Sequence, residues 1–294
     1  MSIKISKYVE RALKNSNILD PKNGEKFVIV SDTHLGAGDN ADESLNVQHL
    51  IFYALSQYFK QGYTLVLNGD NWELAETHDI EKIKNAHDDI MWILSEFHND
   101  GRLILIKGNH EEHLTPKKLR YRKSQYDGQQ IDFLKDVELY ESTQIKDLVV
   151  LHGSQFFSKY HSWFNKVLMA LGPIWKKWQL FFKDYHIAEY TGWQEADRCQ
   201  TYFSELGKKL NKHFVIGHTH KCNFKLDNCT DCGSFGCMPR CITAVEYYPD
   251  RKNFDNLITV KWAVIPKDLE LNQGVMVTSK TVIGSQKLKI EVEE

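Results

Sequence analysis

The sequence predicts an α/β fold in one domain, and three observations carry that prediction. Apolar, β-branched runs end at a Gly or a carboxylate: Phe27-Val-Ile-Val-Ser-Asp32, Tyr63-Thr-Leu-Val-Leu-Asn-Gly-Asp70 and Arg102-Leu-Ile-Leu-Ile-Lys-Gly-Asn-His-Glu111. Each has the length of a buried strand and stops where regular structure breaks. Between them lie stretches of helical period, so the chain reads strand, helix, strand, the unit that makes parallel neighbours. The 294 residues, 42% of them hydrophobic, suffice for one sizeable core.

Taken in order, residues 1–24 predict a short polar helix closed by a turn at Asp20-Pro-Lys-Asn-Gly24. The strand Phe27–Asp32 runs on into Thr33-His34-Leu-Gly36. In an extended segment Asp32 and His34, two residues apart, point the same way and can grip one ion. Leu45, Leu50, Ile51, Ala54, Leu55, Tyr58 and Phe59 recur at helical spacing and deliver the chain to Asp70. A second helix, with Ile83, Ile90, Met91, Ile93, Leu94 and Phe97, ends at Asn99-Asp-Gly101, and the next strand presents Asn109 and His110. Ligands in open α/β sheets gather at the carboxyl ends of strands, so Asp32, Asp70 and Asn109 are expected to be neighbours.

A net charge of -2 excludes the global basic field that drives tight nucleic-acid binding. The N-terminal residues lack the roughly 7–15 residue apolar core of a signal peptide, and no uncharged apolar run reaches the roughly 18 residues a bilayer requires. A cytoplasmic location is therefore expected, with the six cysteines mostly reduced thiols.

The three strand ends, Asp-x-His, Gly-Asp and Gly-Asn-His-Glu, resemble the calcineurin-like metallophosphoesterases. That resemblance requires a lone His and a Gly-His-x-His downstream, each ending an apolar strand. Asp147-Leu-Val-Val-Leu-His152 and His213-Phe-Val-Ile-Gly-His218-Thr-His220 supply both. The resemblance covers the chain from Phe27 to Arg240. Beyond it, alternation predicts strands at Ile242-Thr-Ala-Val-Glu-Tyr-Tyr, Leu257-Ile-Thr-Val-Lys-Trp and Lys287-Leu-Lys-Ile-Glu-Val. The resemblance implies a metallophosphatase-type sandwich of two mixed β-sheets flanked by helices, which fits this order of elements. It also implies two divalent ions, one on Asp32, His34, Asp70 and His220, the other on Asp70, Asn109, His152 and His218. His110 becomes the catalytic, non-ligand histidine, oriented by Glu111 or an equivalent acid. No Cys stands in this set, and nitrogen and oxygen donors suit manganese first, with iron or zinc as alternatives. The activity implied is hydrolysis of a phosphomonoester, phosphodiester or pyrophosphate by water activated between the ions.

Residues 155–200 exceed the length of a crossover helix and are rich in aromatics. Phe164, Val167, Leu168 and Leu171 form one helical stripe, Gly172-Pro173 breaks it, and Ile174, Trp175, Trp178, Phe181 and Phe182 form another. A helical cap near the site is expected, packed on the body or receiving an acyl chain or membrane surface, with Lys159, Lys166, Lys176 and Lys177 toward anionic groups. The layout is similar to the UDP-2,3-diacylglucosamine pyrophosphatase branch, whose Gly-Asp-x-x-Glu matches Gly69-Asp-Asn-Trp-Glu73, although Gly-Asn-His110 replaces its Gly-Asn-Arg. Gly-Asn-His-Glu is shared with Ser/Thr protein phosphatases, whose Asp-Arg-Gly run is missing here, and Ser31-Asp-Thr-His-Leu-Gly36 with a DNA-repair nuclease. Arg120, Arg122 and Lys123, in a basic run from Lys117, are the candidates for gripping a phosphate-rich substrate, nucleic acid included. A non-catalytic scaffold on the same fold is the reading from another class, and the intact ligand pattern argues against it. Cys229 and Cys232 have zinc-ligand spacing, and a structural zinc there is weighed against reduced thiols, with Cys237 and Cys241 expected on a strand.

Overall fold

The computed structural model describes residues 4–124, 130–156, 193–238, 240–251, 255–264 and 278–288. The chain opens with helix α1 (Lys7–Lys14), whose N-cap Ser6 accepts from the Tyr8 amide. Strand β1 (Asn17–Leu19) follows where only a turn is expected from sequence. It pairs parallel with a strand near residue 144, a long-range contact that local pattern does not reveal. Next come β2 (Phe27–Val30), α2 (Gln48–Lys60), β3 (Thr64–Asn68), α3 (Leu74–Thr77), α4 (Ile80–Ala86), α5 (Asp88–Asn99) and β4 (Leu103–Ile106). The expected second helix is thus two, broken at His87, whose Nε2 is tied to Asp42 Oδ2 at 2.8 Å.

Then follow α6 (Pro116–Leu119), β5 (Tyr121–Ser124), β6 (Gln130–Phe133), β7 (Leu139–Tyr140), β8 (Thr143–Ile145) and β9 (Leu148–Val150). The chain closes with α7 (Trp193–Leu210), β10 (His213–Ile216), β11 (Asn223–Leu226), β12 (Cys229–Asp231), β13 (Cys241–Tyr247), β14 (Leu257–Val264) and β15 (Thr278–Gln286). One sheet has the order β15-β14-β13-β2-β3-β4-β7 and the other β1-β8-β9-β10-β12-β11. β2, β3 and β4 are parallel, as the strand-helix-strand reading requires, while β13, β14 and β15 run antiparallel beside them. The two mixed sheets flanked by helices are the sandwich expected from sequence.

Strand alternation builds the layers. Phe27, Ile29, Val66 and Ile106 point between the sheets and meet Ile145, Leu148, Val150 and Val215 from the other side. The alternate residues Val28, Val30, Leu65 and Leu67 point outward under α2 and α5, against Leu50, Ile51, Ala54, Ile90 and Leu94. On the far sheet Val149, Leu151, Phe214 and Ile216 lie under α7, against Cys199, Phe203 and Leu206. Strands buried on both faces explain why the sequence shows continuous apolar runs there.

Cys229 packs in the helix-covered core, and Cys232, just past the end of β12, packs in the core between the sheets. One expectation about the cysteines is corrected. Cys237 lies in the loop before β13, and only Cys241 reaches the strand. Most of the 155–200 insertion, with its aromatic stripes and lysines, lies outside the described residues, as do the side chains of Arg122 and Lys123 on β5. The residues beyond Leu288 in the last expected strand are likewise outside them. Among the described residues no helix is long and apolar enough to cross a membrane.

Candidate metal centre

All seven residues expected to bind metal meet at the carboxyl ends of five strands, three in one sheet and two in the other. Asp32 and His34 follow β2, Asp70 follows β3, Asn109 and His110 follow β4, His152 follows β9, and His218 and His220 follow β10. Asp32 and His34 do not share an extended segment, however. Both have left-handed backbone, with φ 55° and 47°, as do Asp70 at 50°, His218 at 69° and His220 at 55°. Such conformations cost of order 1–2 kcal/mol for a residue with a Cβ and persist only where surrounding bonds hold them.

Those bonds are visible. The Asp32 amide donates to Gly69 O at 3.0 Å and the His34 amide to Asp70 O at 3.0 Å, stitching the first two loops together. The His110 amide donates to Asp70 Oδ1 at 2.9 Å, and the His218 amide to Asp32 Oδ2 at 2.8 Å. Asn68, at the end of β3, crosses to the other sheet: its Nδ2 donates to Leu151 O at 3.0 Å. Its carbonyl accepts from His152 Nδ1 at 2.9 Å. Gly108 is required by proximity, since a Cβ there would land on Asp70 Oδ1.

Donor atoms of Asp32, His34 and Asp70 lie within 4.8 Å of one another, and so do those of Asp70, His152 and His218. Asp70 is common to both groups. His220 Nε2 is 3.2 Å from Asp32 Oδ1, and Asn109 Oδ1 is 3.2 Å from His152 Nε2.

The polar balance of these groups fits cations. His152 Nδ1 is committed to the Asn68 carbonyl, so Nε2 carries the lone pair of the neutral ring. Yet Nε2 faces two acceptors, Asp70 Oδ2 at 2.9 Å and Asn109 Oδ1 at 3.2 Å. Asp32 Oδ1 and His34 Nε2 are buried without a hydrogen-bond partner, as is His220 Nδ1. Buried polar atoms are normally satisfied, and here donors to a metal are left facing one another. Electrostatics point the same way. Burial opposes ionisation of Asp32 and Asp70, but the charges of His220 and His152 on the first, and of His152 and His110 on the second, hold both below the usual carboxylate range. His220 is pushed up to about 10, with burial opposing and Cys237 and Asp32 driving the rise. Ring protons there supply the positive charge that divalent ions would bring.

Sequence reasoning misses the orienting acid. The Glu111 carboxylate is committed to backbone amides. It accepts from the amides of Asn71, Trp72 and Gly108, which fixes the two loops around Asp70. Burial, and then the Asp70 charge, push the Glu111 carboxyl up to about 7. The equivalent acid is Glu73, whose Oε1 meets His110 Nδ1 at 2.8 Å and whose Oε2 meets His34 Nδ1 at 2.7 Å. Burial favours a neutral Glu73, but the charge and hydrogen bonds of His110 and His34 hold it well below the usual range. An ionised Glu73 only accepts, so both rings donate from Nδ1 and turn Nε2 inward. The Gly-Asp-x-x-Glu spacing is the signal that could have identified it. Asn68 carried no signal, because a strand-end Asn usually only ends a strand. Arg120 is exposed, and its carbonyl accepts from the buried Lys84 Nζ at 2.8 Å.

Residues 25–222, most of the chain and every residue of the cluster, match the family model of the calcineurin-like phosphoesterases. The chain belongs to the calcineurin-like phosphoesterase family. Among solved structures it is similar to the 5'-nucleotidase from Candida albicans SC5314, at 12% identity over 88% of this chain and a TM-score of 0.28. The match spans 51% of that protein's length. No curated protein matches the chain. In this calcineurin-like phosphoesterase the family match ends at Cys222, so the Ser234–Cys237 loop and β13 to β15 lie beyond it.

Proposed function

We propose that this chain is a two-metal phosphoesterase that hydrolyses a phosphomonoester, phosphodiester or pyrophosphate, with the bond carried on a nucleotide- or lipid-linked substrate. The observation that carries the reading is the pair of donor groups sharing Asp70, lined by buried atoms that lack hydrogen-bond partners. Asp32, His34, Asp70 and His220 would hold one ion, and Asp70, Asn109, His152 and His218 the other. Divalent ions there, manganese first on the nitrogen and oxygen donor set, would polarise the phosphoryl oxygens and lower the pKa of attacking water.

The chain's own groups do the rest. His110 donates from Nδ1 to Glu73 and turns Nε2, 3.9 Å from Asp70 Oδ2, toward the centre. A proton donor at that atom can protonate the leaving oxygen, and Glu73 stabilises the charged ring while it does so. Asn68 fixes the His152 tautomer, which keeps its Nε2 available as a ligand. The nucleotide or lipid portion is assigned to the aromatic insertion on composition alone, and peripheral contact with anionic lipid belongs to the same proposal.

The test is a screen of nitrophenyl phosphate, bis-nitrophenyl phosphate, nucleotide diphosphate sugars and single-stranded DNA with added manganese. Cleavage of at least one class, abolished by Asp70→Ala together with bound metal, is expected. His110→Ala should keep the metal and lose roughly 100- to 10,000-fold in turnover. Absence of metal binding by the folded wild-type protein refutes the reading.

A further inference from the structure

One cysteine sits at the metal centre, supplied by the loop beyond the family match. Ser234–Cys237 is fastened onto the backbone that follows β2. The Phe235 amide donates to Ser31 O at 2.9 Å, and Ser234 Oγ donates to Asp32 O at 3.0 Å. The Cys237 amide donates to Ser234 Oγ at 2.9 Å. Gly236 lies so close that a Cβ there would land on Thr33 O, so only glycine lets the two backbones touch. The register of this contact carries Cys237 Sγ to 3.7 Å from Asp32 O. It also places the sulfur in one group with His34 and His220, their donor atoms all within 4.8 Å.

A second observation is independent of the sulfur. His34 Nε2 and Asp32 Oδ1 are buried without hydrogen-bond partners, their side chains 8% and 0% exposed, and they stand 3.8 Å apart, with His220 Nε2 3.2 Å from Asp32 Oδ1. Donors around a tetrahedral zinc at 2.0–2.3 Å stand about 3.3–3.6 Å from one another. The His34, His220 and Cys237 atoms thus need to close by about 1.5 Å at most to share an ion.

We infer that Cys237 is a ligand of the ion held by Asp32, His34 and His220, which makes that half of the centre a mixed nitrogen, oxygen and sulfur site for a thiophilic ion. The inference rests on the two-metal reading above and narrows it. A thiolate selects zinc or iron over manganese, and it gives the two halves unlike ions, because the other half has no sulfur donor among the described residues. Binding displaces the thiol proton to solvent, and no other bond changes.

Cobalt(II) added to the metal-stripped full-length protein tests this optically. The expected result is d–d bands together with a near-ultraviolet sulfur-to-cobalt charge-transfer band. Cys237→Ser should remove the charge-transfer band and keep the d–d bands, while Cys222→Ser keeps both. Zinc affinity in Cys237→Ser should fall roughly 10- to 100-fold. In the wild-type protein, mass-spectrometric mapping of iodoacetamide labelling should show Cys237 protected by zinc and Cys241 not. Cobalt d–d bands without a charge-transfer band, a band that survives Cys237→Ser, or unprotected Cys237 overturns the inference and leaves the two-metal reading standing. No d–d bands at all removes both.

Discussion

Glu73 holds two histidines with one carboxylate, and replacing it with Gln separates what each bond contributes. The shape is kept, but one acceptor and the charge are lost. A hydrogen bond to a charged group is worth about 1.5–3 kcal/mol. Gln can accept from only one of His34 and His110, and its amide N–H then confronts the other Nδ1–H. That ring must turn or change tautomer. A net loss of about 2–3 kcal/mol corresponds to roughly 30- to 140-fold at 1.4 kcal/mol per decade. Removal of a group that orients a metal ligand has effects of the same order. The side chains involved are at most 12% exposed, so solvent replaces little of the lost interaction. Metal titration with elemental analysis, and turnover at saturating manganese, divide the outcome. If the His34 ring gives way the loss falls on metal affinity, and if the His110 ring gives way it falls on turnover with metal content intact. Wild-type values for both in a folded Glu73→Gln variant would refute the dual role.

Three further substitutions probe the frame around the centre. Gly108→Ala puts a methyl onto Asp70 Oδ1 and should abolish tight metal binding while circular dichroism stays native; full metal content would contradict it. Asn68→Ala removes the bond to Leu151 O and should lower unfolding free energy by about 1–3 kcal/mol in urea titrations. An unchanged midpoint would show that this tie between the sheets is dispensable. Burial holds His213 down at about 4 against an ordinary 6.5, so its contribution to stability is complete above pH 6.5 and is lost as pH falls toward 4. The loss at pH 5 is about 2 kcal/mol. His213→Asn should shrink the difference between urea midpoints at pH 7 and pH 5, and an undiminished difference would place the acid sensitivity elsewhere.

The strands with doubly buried faces were legible because burial on both sides forces unbroken apolar runs, and the seven candidate donors at their ends are brought together by the fold. The amphipathic stripes of α2 and α5 were equally readable. What escaped depends on contacts distant in sequence. β1 exists through its pairing with β8, and the break at His87 through a bond to Asp42. The acid that orients His110 was sought beside it in sequence, at Glu111, when the folded chain brings Glu73 across from the neighbouring loop. The Cys229 and Cys232 spacing is that of a zinc-ligand pair, while the fold packs the two side chains into different cores, a placement that spacing alone does not reveal. The Asp32 to His34 reading had the right partners and the wrong backbone, since left-handed residues leave no mark in the sequence when they are not glycine.

The two sheets meet at the metal centre as at a seam, with Asp32, Asp70 and Asn109 on one margin and His152, His218 and His220 on the other. Phe27, Ile29 and Val66 from one sheet and Val150 and Val215 from the other, on the strands that lead to those margins, form one buried layer between the sheets. A cation seated there would act as a rivet, held by donors from both sheets. Its binding free energy therefore adds to the cohesion of the sandwich. If the proposed ions bind there, trimming or thickening that layer would alter their spacing without touching a ligand, so the buried valines would belong to the centre's tuning as much as the histidines.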